Sequence, residues 1–174
     1  MLKDDPDSKA IQAALQGSQQ AYYLLYDRYV DALFGFLHQF ENERFQVSDW
    51  VQLSFIKAFQ KLNQFQGRSS FKSWLFRIAI NEMKQTKRSS RYDYESFDAL
   101  EHEMMNEDQD FWPDWISLKQ IIHELPERER LVLLMFEIEG FSHDEIGQML
   151  DINPTTSRSI LYRTKQGLRI KLNQ

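Results

Sequence analysis

Cysteine is absent from this chain, so neither a disulfide framework nor a thiolate zinc site is available, and redox chemistry leaves the compartment undetermined. Histidine is scarce and scattered: His38, His102, His123 and His143 form no HExxH pair, and there is no GxSxG elbow and no nucleotide-binding glycine loop. An enzyme is therefore the weakest reading. Glu101, Glu103 and Asp108 stand near one another, but such an acidic run reads as a solvated segment, so neither a metal nor a cofactor is expected. No apolar run approaches membrane-spanning length, and the opening MLKDDPDSKAIQ is acidic and polar rather than a signal peptide. The expectation is a soluble, cytoplasmic protein without membrane insertion. Collagen-like and disordered signatures are missing as well, and 174 residues leave room for two small cores.

Charge of one sign is missing from two stretches, and this divides the chain. Residues 93–114 carry nine Asp and Glu and no Lys or Arg, whereas residues 1–92 hold thirteen basic against nine acidic residues and residues 115–174 hold eight of each. The net charge of −5 thus lies in the middle, and 93–114 reads as an acidic linker between a domain at 1–92 and another at 115–174. From Ile152 onward the opposite holds: Arg158, Arg163, Lys165, Arg169 and Lys171 meet no acidic residue.

What is present is helical periodicity. Tyr22, Tyr23, Leu25, Tyr26, Tyr29, Val30, Leu33, Phe34, Leu37 and Phe40 form a wide apolar stripe, the pattern of a core helix. Ser48 is placed to cap a second helix running to about Leu62, with Val51, Phe55, Ala58, Phe59 and Leu62 inward and Gln52, Lys57 and Lys61 outward. Phe65-Gln66-Gly67-Arg68-Ser69-Ser70 is a turn-forming loop, and a third helix from Phe71 to about Arg91 carries Trp74, Leu75, Ile78, Ala79 and Met83 on one face. Arg68 to Arg91 holds seven basic residues against the single Glu82, interleaved with Phe71, Trp74 and Phe76. Cations beside aromatics suit melted or single-stranded DNA, although rings at helical spacing, Trp74 above all, belong first to a core.

The last fifty residues carry the sharpest signal. Leu125-Pro126-Glu127-Arg128-Glu129-Arg130 opens a helix that Gly140 stops; Ser142 and Glu145 form a capping box for a helix from Asp144 to Leu150; Asn153-Pro154 caps a third, basic helix after a short turn. A short helix, a tight turn and a longer cationic helix make a helix-turn-helix whose last helix fits a DNA major groove. The class is all-α, two small helical domains joined by an acidic linker.

The run LPERERLVLLMFEIEGFSHDEIGQMLDIN with Arg158, Leu161, Arg163 and Leu168 after it resembles the −35-reading domain of the extracytoplasmic-function sigma factors. The run DWVQLSFIKAFQKLNQFQGRSSFKSWLFRIAINEMKQTKR is similar to the polymerase-binding and −10-reading segment of the same family, in the same order. The resemblance implies an alternative sigma factor whose partners are core RNA polymerase and promoter DNA, with an anti-sigma factor or another guiding protein as a further partner. It implies polymerase docking through Asp49, Gln52, Leu53, Phe55, Ile56 and Phe59, and −10 contacts from Gly67, Arg68, Ser70, Phe71, Asn81, Lys84, Lys87 and Arg88. For the −35 groove it implies Thr155, Thr156, Ser157, Arg158, Tyr162, Arg163 and Lys165.

Four positions depart from the family pattern. Leu53 stands where an acidic residue is usual and Gln85 where an aspartate is; Ser157 takes a usually apolar inward place, and Ile160, expected toward DNA, replaces a basic residue. The last two weaken autonomous promoter reading. Two alternatives therefore stay open: a helix-turn-helix regulator that does not dock on polymerase, and a divergent sigma factor positioned on DNA by a partner. The resemblance also runs the linker through basic walls of polymerase, which attract an acidic chain electrostatically. Replacing Asp108, Asp110 and Asp114 with Asn is expected to lower affinity for core polymerase most at low salt; a loss equal at all salt concentrations, or none, would mark a plain tether.

Overall fold

The computed structural model describes residues 6–94, 118 and 120–172, and divides the chain into two compact units at Leu100 and Glu101. All but the first two residues of the acidic segment 93–114 lie outside the described residues. Among the described residues no helix is long and apolar enough to cross a membrane.

The first unit holds α1 (Ser8–Leu15), α2 (Gln19–His38), α3 (Arg44–Gln60), a 3-10 turn (Leu62–Gln64) and α4 (Phe71–Tyr94). α1, which the helical periodicity noted above does not include, is amphipathic through Ile11 and Ala14, both buried. Gly17, at φ 88°, ends it: the amide of Ser18 donates to the carbonyl of Ala13 at 3.0 Å and that of Gly17 to Ala14 at 2.9 Å, which satisfies two orphan carbonyls. The buried Asp7 ties the start of α1 to α2 by accepting from the Tyr29 hydroxyl and pairing with Arg28. A buried carboxylate is tolerated only with such partners.

α2 is the hub against which α1, α3 and α4 pack. Its ring pairs with α3, Tyr22 on Phe59 at 4.9 Å and Tyr26 on Phe55 at 4.8 Å, lock the two helices, while Phe36 meets Phe76 of α4 at 5.2 Å. Helix α3 begins four residues before the expected cap: Glu43, not Ser48, accepts from the amides of Phe45 and Gln46 at 3.2 and 3.3 Å. A carboxylate is favoured at a helix N-terminus by the dipole as well as by those bonds, and Ser48 is left inside the helix.

The second unit contains α5 (Glu127–Glu137), α6 (His143–Leu150) and α7 (Pro154–Leu172) around Leu131, Val132, Met135, Phe141, Ile146, Ile160 and Leu161. The capping box of α6 forms as its spacing requires, with Ser142 and Glu145 each bonded to the other's backbone amide. Asn153 caps α7 by accepting from the Thr155 amide at 2.9 Å. Between α6 and α7 the chain turns through Asp151 in the left-handed region, φ 56°, and the Ile152 amide returns to the Gly147 carbonyl at 3.0 Å. A Cβ on Gly147 would stand 2.7 Å from the Ile152 carbonyl oxygen, so only glycine lets the turn close this tightly. Gly147→Ala is therefore expected to destabilise the second unit by about 1–3 kcal/mol. Asp151→Gly, which removes a left-handed strain instead, is expected to be neutral or stabilising by up to about 1 kcal/mol. Denaturant unfolding of the full chain, followed by its helical signal, checks both.

Candidate docking and nucleic-acid surfaces

In the first unit, the residues of α3 that cannot all face the core divide cleanly. Phe55 is 3 % exposed and packs on Tyr26 and Phe59, whereas Leu53 is 42 % and Ile56 49 % exposed, beside the exposed Asp49 and Gln52. Phe55 is thus corrected from a surface candidate to a core residue, and Phe59 is half-covered by Tyr22. The apolar strip is wider than the candidate set: Tyr23 (63 % exposed) and Tyr26 of the predicted core stripe, with Leu24 between them, lie on the surface of α2. The stripe was too wide for one buried face, and that width was the signal for a second surface. Lys57 does not point freely outward, because its Nζ lies 2.6 Å from Glu82 and joins α3 to α4.

The loop before α4 is shaped by Gly67, at φ 64°, and ends at Ser70, whose Oγ accepts from the Ser73 amide at 3.1 Å. Ser70 is therefore a helix cap as much as a surface group. Phe71 is fully buried, tilted against Tyr29 and beside Phe65 and Trp74, which corrects its place among the DNA-facing candidates. Trp74, favoured for the core, is instead only partly covered, its ring 5.1 Å from Phe65. From there Trp74, Arg77, Asn81, Lys84 and Arg88 follow one another at spacings of three and four and form a single stripe along α4, with Gln85 exposed at its edge. Arg77, missed as a candidate, belongs to it by the same spacing. Lys87 lies on another face, where its Nζ donates to the Phe40 carbonyl at 2.9 Å. That bond fixes the end of α2 and removes Lys87 from the stripe.

α7 has two faces in the second unit. Ser157, Ile160, Leu161, Thr164 and Leu168 are buried against α5 and α6, while Thr155, Arg158, Ser159, Tyr162 and Arg163 are exposed, with Thr156 and Lys165 between. Arg158, Ser159, Tyr162 and Arg163 line a shallow open hollow of about 440 Å³, and Tyr162 is 66 % exposed. Two expectations are corrected here. Ser157, set among the groove contacts, is inaccessible; and Ile160, expected to turn an apolar side chain toward DNA, is 5 % exposed and part of the core. The burial of Ile160 removes an argument for a weakened reader. Lys165 is held 2.7 Å from Glu137, an exposed pair of the kind worth about 0–1 kcal/mol, so a phosphate can compete for it.

Ser157 is satisfied by His143, whose Nδ1 lies 2.9 Å from its Oγ, and the His143 ring stacks on Phe136 at 4.5 Å with 20° between planes. Burial and the neighbouring Arg158 hold the His143 imidazolium below the usual histidine range, against a smaller opposing pull from Asp144.

Comparison with known proteins agrees with this division of the chain. Residues 25–92 match the family model for Sigma-70 region 2 and residues 116–168 that for Sigma-70 region 4. The chain is 30 % identical, over 186 aligned positions covering 99 % of it and 98 % of the relative, to the ECF RNA polymerase sigma-E factor of Haemophilus influenzae. It is 29 % identical to the RNA polymerase sigma-H factor of Pseudomonas aeruginosa, over 97 % of this chain and 94 % of that one. Its fold is similar to the sigma factor RpoE of Bartonella quintana, solved in complex with the anti-sigma factor NepR, at a TM-score of 0.75 and 21 % identity over 87 % of this chain and 96 % of that one. With both region models met in order and a relative aligned nearly end to end, the chain belongs to the extracytoplasmic-function group of RNA polymerase sigma factors.

Proposed function

We propose that the two units of this alternative sigma factor divide promoter recognition between them. The outer face of α3, with Asp49, Gln52, Leu53 and Ile56, docks on core RNA polymerase, joined by the neighbouring Tyr23 and Tyr26 of α2. The loop from Gln66 to Ser70 and the stripe Trp74, Arg77, Asn81, Lys84 and Arg88 meet the melted −10 element. α7 enters the −35 major groove with Thr155, Arg158, Tyr162 and Arg163. The protein directs transcription initiation and works in the cytoplasm, where polymerase and template are; the polymerase makes every bond. Its relative RpoE is held by an anti-sigma factor, and a partner of that kind suits the exposed apolar strip here.

The observation that carries this reading is the two-faced α7: one side is shut into the core and the other carries two arginines and a tyrosine around an open hollow. Arginine reads guanine bidentately in the major groove, and an exposed ring contacts a thymine methyl. In the first unit, the cations of α4 serve phosphates while the partly open Trp74 offers a face for an unstacked base. A base extruded from the duplex costs a few kcal/mol, and a loop that rewards only some bases converts that cost into selectivity.

Co-purification with core polymerase, followed by mapping of transcription start sites with the reconstituted holoenzyme, tests the whole reading; a protein that binds promoter-like duplex yet never associates with core would be a plain regulator. Leu53→Asp and Ile56→Asp are expected to weaken association with core polymerase while leaving the helical signal and melting temperature unchanged. Phe55→Ala, by contrast, is expected to cost about 3–5 kcal/mol of stability, since it opens a cavity under Tyr26. Arg158→Ala is expected to lower specific −35 affinity by about 1–3 kcal/mol and to relax one base preference. Lys165→Ala instead weakens binding evenly and reduces the salt slope by roughly one unit. A binding assay across single-base variants and salt concentrations separates the two.

A further inference from the structure

His143 lies outside the DNA-facing surface, and nothing in promoter reading as described above uses it. It nevertheless touches both α5 and α7. From the start of α6 its ring stacks on Phe136 of α5 at 4.5 Å, and its Nδ1 meets the Oγ of the fully buried Ser157 of α7 at 2.9 Å. Ser157 immediately precedes Arg158, and among the described residues the contact to His143 is the only side-chain hydrogen bond that Ser157 makes. Close packing of Ile160, Leu161 and Leu168 sets the roll of α7 to within the slack that side-chain rotamers leave, and a buried polar pair, being directional, narrows that slack. A rotation of α7 that carried Arg158 away from the groove would pull Oγ off Nδ1 and strand a buried hydroxyl.

We infer that His143 is a positioning residue for promoter reading: through the buried hydroxyl of Ser157 it fixes the roll of α7 and so aims Arg158. This rests on the proposed role of α7 in the groove. Neutral or protonated, the ring can keep this contact, since Nδ1 accepts from the Ser157 hydroxyl in one tautomer and donates to the same oxygen when it carries a proton; the surroundings favour the neutral form. The facing charges are Arg158 from α7 and Asp144 from α6 itself, while α5 presents the uncharged Phe136 ring. Burial and Arg158 lower the affinity for a proton, and the positive end of the α6 dipole acts in the same sense. The sign follows directly. With a folded pKa below the unfolded value of about 6.5, the charged ring is penalised only in the folded state, so the second unit is at full stability above that pH and loses stability as pH falls below it.

The test uses full-length protein in holoenzyme with core polymerase and, as probe, a promoter duplex recovered from a library randomised in the −35 region by the wild-type holoenzyme. His143→Phe keeps a ring over Phe136 and deletes the bond to Ser157; His143→Asn restores a donor and acceptor without a titrating group. Arg158→Ala identifies the base that α7 reads. The expected result is that His143→Phe lowers the preference for that base by about tenfold at neutral pH and that His143→Asn recovers most of it. Melting of each variant separates aim from folding, because a residue that serves only stability would shift the melting temperature and leave the base preference of the surviving folded protein intact. Wild-type base preference in a folded His143→Phe, with Arg158→Ala still defective, overturns the inference alone. If Arg158→Ala reads every base as wild type does, the groove reading of α7 fails and the inference falls with it.

Discussion

The outward face of α7 depends on one close approach, the carbonyl of Ile152 against the bare Cα of Gly147. With 2.7 Å between that oxygen and the place a Cβ would take, the turn closes only over glycine, and Asp151 must adopt a left-handed backbone to bring Asn153 into capping position. These local constraints set the crossing of α6 and α7. Once that crossing is set, Ile160, Leu161 and Leu168 have a core to enter, and Arg158, Tyr162 and Arg163 have nowhere to go but outward. Cationic residues on the outer face are then the consequence of an angle, not of any interaction they make among themselves. Packing fixes the angle and most of the rotation, and the His143–Ser157 contact adds a directional constraint to it.

The first unit solves a different problem with the same means. Its helices are rich in aromatics, more than one core can hold, and the structure sorts them by what lies opposite. Phe55 and Phe71 find Tyr26 and Tyr29 across the helix interface and disappear; Tyr23, Leu53 and Ile56 find nothing and remain outside. An apolar strip of this kind costs solubility in a free protein and is retained where a partner covers it. On α4 the sorting leaves Trp74 at the head of a cationic stripe, its ring braced by Phe65 and Phe71 so that its exposed part is held rather than mobile between rotamers.

Much of this was legible in the sequence, and the parts that were not have a common cause. Helix limits signalled by side-chain chemistry were readable: the Ser142–Glu145 box and the Asn153-Pro154 start stand where their spacing put them, and Gly140 ends α5 at φ 72°. The helix-turn-helix and the all-α class followed from those signals and from the resemblance. What periodicity does not convey is which edge of a wide stripe turns inward. Spacing alone suits Phe55 both to the core and to the docking strip, and Phe71 and Trp74 take each other's expected places, because rings three residues apart on α4 differ by about 60° and either fits an apolar face. Ile160 was misplaced for the same reason, since its position was inferred from the residue type usual there rather than from its own tendency to be buried. Ser48 lost the cap to Glu43, a residue type less often chosen for capping, and α1 escaped notice for lack of any strong start signal beyond Asp7, which is spent on Arg28 and Tyr29.

The inventory of α7 also bounds what the second unit can do by itself. Arg158 and Arg163 are the arginines that line the open hollow, and Arg163 already donates through Nε to the Ser159 carbonyl at 3.3 Å, while Ser159 gives its hydroxyl to the Thr155 carbonyl at 3.0 Å. Each good bidentate contact discriminates by about 1–3 kcal/mol. Two such contacts, one of them partly engaged, fall short of the roughly 4–10 kcal/mol that separates specific from non-specific DNA binding. On the proposed division of labour the first unit adds a different source of selectivity, gained when a base leaves the stack, which a duplex-reading helix cannot use. The proposed reading therefore asks little of α7 alone, because it divides promoter recognition between two chemically distinct modes, duplex edges at α7 and extruded bases at the loop before α4.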